Sequence, residues 1–527
     1  MFIFFRYSKN LVAVITGIIL LVTCFVSCQQ RYNKNSTHQQ VSDESIDKGK
    51  ELAAVYCASC HMLPDPSMLN AKSWEKGVLP NMGPRLGIFN YGFATYPSFR
   101  FDANIGDQFY PSKPLLTFEQ WQNIIDYYTA LAPDTLLAGK DDVAITEGLS
   151  LFKAEMPSVK YATPRICFAG FDTLIFPRSL LVCDVTGKSI IRFNNQLQEI
   201  DSVHCNGSVV NIDFKPGALS VACNIGIINP NNGRFGKANN LFITAANKLQ
   251  LDTIPLFDSL ARPVQITAAD FNKDGKEDYL VCEYGNLKGG LFWMENTGNK
   301  KFEKHILKLV PGAIKAYIED YNNDGLQDIF VLFAQGDEGI YLYTNKGNGK
   351  FEEKQLLRFP PLNGSSYFEL ADFNKDGYQD IVYTCGDNAD YSAVLKPYHG
   401  VYIFLNDGTN KFTQKYFFHI NGCFKAMARD FDNDGDLDIA TISFFADYKN
   451  RPEEGFVYLE NNGGFNFKAY SLPEAKQGRW LTMDAGDLDG DGKIDLVLGN
   501  FSAPAMIQSQ VDLKNGPPFL FLKNMGR

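Results

Sequence analysis

The sequence predicts two unlike domains in one chain: a small all-α domain over residues 42–135 and a larger all-β domain over residues 161–527, joined by a connector at 136–160. Three observations carry this prediction. Helical periodicity with capping signals is confined to the N-terminal part. From about residue 160 onward, short β-branched and apolar runs alternate with Gly, Asn and Asp turns. Within that second part a nine-residue acidic phrase recurs five times. At 527 residues the chain is also too long for one compact core.

The N-terminus reads as an export signal. Residues 1–10 carry Arg6 and Lys9, and residues 11–26 are almost wholly apolar, the n- and h-regions of a secretory leader. That apolar run is short of the roughly 20 residues that span a bilayer. It ends Phe25-Val26-Ser27-Cys28, which resembles the lipobox of bacterial lipoproteins, although Phe25 stands where Leu is usual and Cys24 is a weaker candidate for the same role. The resemblance implies a signal peptide over 1–28, lipidation of Cys28, and an exported, lipid-anchored protein of the bacterial cell envelope, at the outer membrane or cell surface. Residues 29–41 are polar and are expected to form a flexible tether, with His38 a solvated tail residue. The balance of 50 Lys and Arg against 60 Asp and Glu, with no basic stripe, excludes nucleic acid as a partner.

In the helical part, Ser42-Asp43-Glu44 opens a first helix that runs into Cys57-Ala58-Ser59-Cys60-His61. Positions i, i+3 and i+4 share one helix face, so both thiols can bond the vinyl groups of one haem while His61 reaches its iron. That is the attachment pattern of c-type haem. A thioredoxin-like redox pair, half a zinc site and an accidental pair are the competing readings. None needs the adjacent His, and there is no second Cys-x-x-Cys. A second helix is expected over about 71–79, and a third from Leu116 to Ala132, with Thr117 as N-cap, Gln120 completing a capping box and Pro133 closing it.

A haem motif on an N-terminal helix, paired with a C-terminal helix ending YYTALA, resembles the class I cytochrome c fold. The resemblance implies one covalent haem c held by Cys57, Cys60 and His61, with a second iron ligand from a later loop. Met62 adjoins His61 and Met68 lies only seven residues on, so Met82, in the Gly- and Pro-rich GVLPNMGPRLG, is the expected ligand. A five-coordinate haem is the alternative. Residues 87–115, rich in Phe and Tyr, are read as a flap over the haem or a docking surface.

The recurring phrase of the β domain begins at Asp270, Asp320, Asp372, Asp430 and Asp487, at spacings of 50, 52, 58 and 57 residues. Oxygens at its positions 1, 3, 5 and 9, with Gly at 6, make a cage suited to calcium. The expected ligands are Asp270, Asn272, Asp274 and Asp278; Asp320, Asn322, Asp324 and Asp328; Asp372, Asn374, Asp376 and Asp380; Asp430, Asp432, Asp434 and Asp438; and Asp487, Asp489, Asp491 and Asp495. Position 12 is never the Glu of an EF-hand, and strand pattern follows position 9. The loops therefore join strands, with Asx-turns lacking any metal as the alternative. A second phrase, ENTGNKKF and its relatives down to KNMGR, follows each. This resembles the FG-GAP or VCBS repeat, whose units are four-stranded propeller blades with calcium in the first hairpin. Five such units, a degenerate one from Asn211 and a faint one from Ser179 imply an all-β propeller of about seven blades with up to five calcium ions.

The resemblance puts the calcium phrase and the second phrase at one end of the propeller. The long insertions 386–400 and 445–455 fall on second hairpins at the other. They carry Asp387, Asp390, Lys396, Tyr398, His399 and Arg451, and inter-blade links add His419 and Arg479. These mark an expected ligand face for a carbohydrate or organic acid. Seven cysteines outside the leader and the haem motif, an odd number, mostly sit in apolar strand patterns and are expected to be buried free thiols. Three functions follow. The first is an exported haem c electron carrier with a redox protein partner and a propeller that docks it. The second is a propeller-based oxidoreductase passing electrons to the haem. The third is an adhesion or glycan-binding module. No catalytic triad, phosphate loop or nucleotide fingerprint supports the second.

Overall fold

The computed structural model describes residues 31–137, 143–216, 219–389, 391–502 and 515–526. The leader, the lipobox and Cys28 lie outside the described residues, as does Asp390.

The N-terminal unit is built on two helices, α1 (Asp43–Tyr56) and α2 (Phe118–Leu131). The Ser42 side chain caps α1, and Thr117 with Gln120 forms the expected capping box on α2. Ile46, Gly49 and Ala53 form one buried stripe of α1 that packs on α2. Gly49 sits at the crossing, where a Cβ would lie 1.9 Å from the Asn123 carbonyl oxygen, so only glycine lets the backbones approach this closely.

Three sequence expectations change here. Residues 31–41 are docked, not a free tether. Asn35 is buried and its amide donates to the Ala132 carbonyl at 3.0 Å, Lys34 pairs with Asp43 at 2.6 Å, and His38 Nδ1 is 3.1 Å from Asn35 Oδ1. Met82 lies on a helical run over 71–86, not in a loop, because Pro80 and Pro84 fall in the first turns of successive short helical segments, where proline is tolerated. Nor is the unit purely helical, since Asn90–Tyr91 pairs antiparallel with Ala94–Thr95 in the long aromatic segment.

The remaining described residues form seven blades, the count the repeats imply, each built on four antiparallel strands, with a fifth short strand added in blades 2 and 6. Their first strands are Ile166–Asp172, Val209–Asp213, Pro263–Ala269, Ala313–Glu319, Ser365–Ala371, Cys423–Arg429 and Trp480–Gly486, for blades 1 to 7 in chain order. Second strands such as Asp328–Phe333 are buried along their whole length, flanked by other strands and packed between neighbouring blades. That is why they read as unbroken apolar runs and not as alternation. The stretch expected to be a connector closes the ring. Phe152–Glu155 is the fourth strand of blade 7, pairing Glu155 with Phe521 and Phe152 with Asn524, and Thr146–Glu147 adds a parallel strand to blade 6.

First strands face the axis, and each has one edge that no strand of its own blade covers. Side chains of the preceding blade cap that edge. Asn211 accepts from the Ile266 amide (3.3 Å), Asp213 from Ala268 (3.0 Å) and Gln265 from Ala316 (2.8 Å). Glu369 accepts from Ala428 (2.7 Å), and Asp484, across the closure, from Phe171 (2.9 Å). Every first strand also has a register shift near its start, so Phe168, Asn211, Gln265, Lys315, Tyr367, Lys425 and Thr482 occupy equivalent positions around the axis.

Candidate functional site

In each acidic loop the position-1 carboxylate turns the chain back on itself. Asp270, for example, accepts from the amides of Asp274 (3.2 Å) and Gly275 (2.9 Å), and Gly275 takes φ = +79°, the conformation glycine adopts without strain. Position 9 has a second task that the sequence does not disclose. Asp278, Asp328, Asp380, Asp438 and Asp495 are buried, and one oxygen of each accepts the amide of the Asn that opens the second phrase: Asn296, Asn345, Asn406, Asn461 and Asn524, at 2.7–2.9 Å. Those Asn side chains bond back to the residue before position 9, as Asn345 does to the Gln327 carbonyl at 3.1 Å. The two recurring phrases recur together because they latch the first hairpin of each of blades 3 to 7 to the end of its third strand.

Burial raises all five position-9 carboxyls, Asp438 and Asp495 to about 6. The second oxygen of Asp328 is buried with no hydrogen-bond donor among the described residues. In blades 6 and 7 the carboxylates of Asp430, Asp432 and Asp438, and of Asp487, Asp489 and Asp495, converge with oxygens within 4.8 Å of one another. Blades 3 to 5 place Asn272, Asn322 and Asn374 at position 3 and so have one carboxylate fewer. A hard cation coordinated by oxygen fits this donor set.

The Cys57–His61 motif begins where α1 ends. Cys57 is the helix C-cap, its amide donating to the Ala53 carbonyl at 2.9 Å, and the remaining residues form the following turn, not a continuous helical face. Both thiols are free, Cys57 half-buried and Cys60 exposed. Burial pushes the Cys57 thiol up to about 12, so in the absence of a bound group it is a poor thiolate nucleophile. His61 Nδ1 is 2.8 Å from the Met62 carbonyl, a hydrogen bond that commits Nδ1 and leaves Nε2 without a partner among the described residues. Met82, Cys57 and Leu63 pack against the same hydrophobic core. The donor set fits covalent haem: two free sulfurs, an imidazole with its outer nitrogen open, and a thioether on the same core.

The expected ligand face is not an open rim. Lys396 and His399 are 2% and 1% exposed, and Tyr398 donates its hydroxyl to the Met68 carbonyl at 3.1 Å. Leu362 and Val394 join the core of the helical unit, and Gly77 comes so close to Tyr391 that a Cβ would meet its carbonyl oxygen at 2.0 Å. Asn232 reaches Asp102 at 2.9 Å. The second hairpins therefore seat the helical unit. Lys396 donates to Asn388 (2.8 Å), and His419 Nε2 is 3.3 Å from the Lys396 carbonyl. Burial lowers His399 and His419 and raises Asp387, so the two imidazoles stay neutral. Arg451 and Arg479 lie apart from this cluster. Arg451 pairs with buried Glu454 at 3.1 Å, and Arg479 stacks on Tyr448 and Phe444.

The seven cysteines of the propeller are all free and buried. Among the described residues no helix is long and apolar enough to cross a membrane.

Three stretches match the model of the FG-GAP-like repeat: residues 270–331, 320–383 and 430–498. Integrin alpha-PS5 of Drosophila melanogaster is 40% identical over 101 residues, which covers 16% of this chain and 9% of that protein. Cartilage acidic protein 1 of Mus musculus is 29% identical over 177 residues, 32% of this chain and 26% of that one. The matched parts span 9% and 26% of the length of these two relatives. Among solved structures, virginiamycin B lyase from Staphylococcus aureus aligns over 70% of this chain and 98% of its own, at 11% identity and a TM-score of 0.42. The Dos1 propeller aligns over 68% and 77%, at 8% identity and a TM-score of 0.40, and both are too distant to carry function. The chain carries FG-GAP-like repeats through blades 3 to 7 of a seven-bladed propeller.

Proposed function

We propose that this protein is an exported haem c electron carrier, lipid-anchored at Cys28 in the bacterial cell envelope, whose propeller is stiffened by calcium and docks a redox protein partner. The observation that carries the reading is the Cys57–His61 arrangement, with two unpaired thiols and a histidine whose Nε2 is left open by the bond at Nδ1. Haem bound there would supply one-electron transfer. Cys57 and Cys60 would hold it covalently, His61 would ligate its iron, and Met82 would be the second ligand.

The propeller's part in this reading is support and docking. Its second-hairpin end seats the helical unit through Tyr398, Leu362 and Val394, so the opposite, calcium-bearing end is free to meet a partner. FG-GAP-like repeats, shared with integrins and cartilage acidic protein, favour a role in binding outside the cytoplasm. An oxidoreductase passing electrons from a small polar substrate, and an adhesion module, are the weaker alternatives.

The test is an absorption spectrum of the mature protein made in a host that matures c-type haem. The expected result is a haem band that stays with the polypeptide in acidified acetone and is lost on replacing both Cys57 and Cys60 by Ala. A colourless wild-type protein, or pigment that extracts freely, would overturn the reading.

A further inference from the structure

The polar groups of the axial channel are nearly all accounted for by the edge-capping described above. Asp213, Gln265, Glu369 and Asp484 each hold an amide of the next blade, Lys425 donates to the Met483 carbonyl at 2.7 Å, and Arg429 pairs with Glu369 at 3.1 Å. Lys315 breaks the pattern. It occupies the ring position equivalent to Gln265 and Lys425, yet its ammonium has no hydrogen-bond or ion-pair partner among the described residues. It lies 4.6 Å from the centre of the Tyr317 ring and 5.7 Å from that of Tyr367. Lys425 lies 4.7 Å from the centre of the same Tyr367 ring, so two ammonium groups neighbour one aromatic ring. The two phenol hydroxyls meet at 3.1 Å.

Lys315 and Tyr317 line a cavity of about 760 Å³ between blades 2, 3 and 4. Its walls run to Asp270, Lys273 and Gln327, so it opens at the calcium-loop end, away from the helical unit. Burial and the neighbouring Lys425 charge pull the Lys315 amine down to about 8, a shift that the carboxylates of Glu369 and Asp484, beyond ion-pair distance, offset only in part.

We propose that this channel is a binding site for a small organic carboxylate, whose oxygens pair with the Lys315 ammonium while its carbon skeleton lies against Tyr317 and Tyr367. A singly charged anion suits the site better than a phosphate dianion. Asp213 and Asp270 stand in the same cavity wall and repel a second negative charge. Lys425, already bonded to a carbonyl, adds attraction without direct contact. The site is separate from the haem motif and does not depend on it.

The test is calorimetric titration of the full-length protein with acetate and benzoate, with inorganic phosphate in parallel. In the wild type, Lys315 acylation by an amine-reactive ester is followed by peptide mass spectrometry with and without carboxylate. The expected result is saturable carboxylate binding, tighter for benzoate, that slows acylation of Lys315 and weakens about tenfold or more in Lys315→Met. Lys315→Arg, which keeps the cation, should retain most of the affinity. The labelling arm needs no variant and so stands even if Lys315→Met misfolds. Absence of saturable heat and of protection would overturn the proposal, as would phosphate binding more tightly than either carboxylate.

Discussion

Glu454 shows how a single buried carboxyl can set the pH response of a blade. It is fully buried between Arg451 at 3.1 Å and the Asn421 amide, and burial raises it from 4.5 to about 7. The folded protein therefore holds a proton there that the unfolded chain gives up between pH 4.5 and 7. Stability from this group is fully present below pH 4.5 and is lost as pH rises through 7, a decline of about 3 kcal/mol. Glu454→Gln should lose about 3 kcal/mol less than wild type over that interval, the remaining decline belonging to carboxyls such as Asp438 and Asp495, and should be more stable than wild type at pH 8. Urea unfolding at pH 5 and pH 8 measures this, and equal pH dependence in the two proteins would contradict it. The residue sits in an insertion that the sequence marks only as long and charged. Its burial depends on Asn421 of the preceding inter-blade link, which no local pattern reveals.

At the scale of elements, the acidic loop and the Asn phrase are one device. Both were legible as repeats, because the same turn and the same cage demand the same residue types in every blade. Their mutual bonding was not, because it depends on register across three strands, and position 9 looks like a plain ligand until Asn345 and its equivalents are seen bonded to it. The latch is complete without metal, whereas the carboxylates of Asp430, Asp432 and Asp438 crowd together. Chelating divalent cations should therefore lower the thermal midpoint by several degrees while leaving the far-ultraviolet circular dichroism of the folded state unchanged, and calcium should restore it better than magnesium. An unchanged midpoint would mean the loops are Asx-turns alone. The Cys57-Ala58-Ser59-Cys60-His61 spacing was plain in the sequence, but not that α1 ends at Cys57 and the rest of the motif continues as a turn. The position of Met82 was misread because prolines that break a helix interior are accepted in the first turn of a new segment.

At the scale of the whole molecule, seven blades followed from counting units, but closure and domain placement did not. Thr146–Glu147 and Phe152–Glu155 are too short to show a period, and their partners lie more than 300 residues away. The seating of the helical unit rests on loop residues such as Tyr398, whose partner is a backbone carbonyl that no sequence pattern marks. A chain shortened to begin at residue 161 keeps every recurring phrase but loses the outer strand of blade 7, baring the edge of Phe519–Asn524. It should aggregate or unfold well below the full-length protein, and adding back a peptide spanning 143–160 should partly rescue it. Equal stability of the two would show that closure is dispensable. The same strand imposes an order on biogenesis. During synthesis the helical unit emerges and can fold early, but residues 152–155 must wait with their edge unpaired until 519–524 appear, about 370 residues later. The interval before the two ends of the wheel meet is when holdases and proteases would have their opportunity.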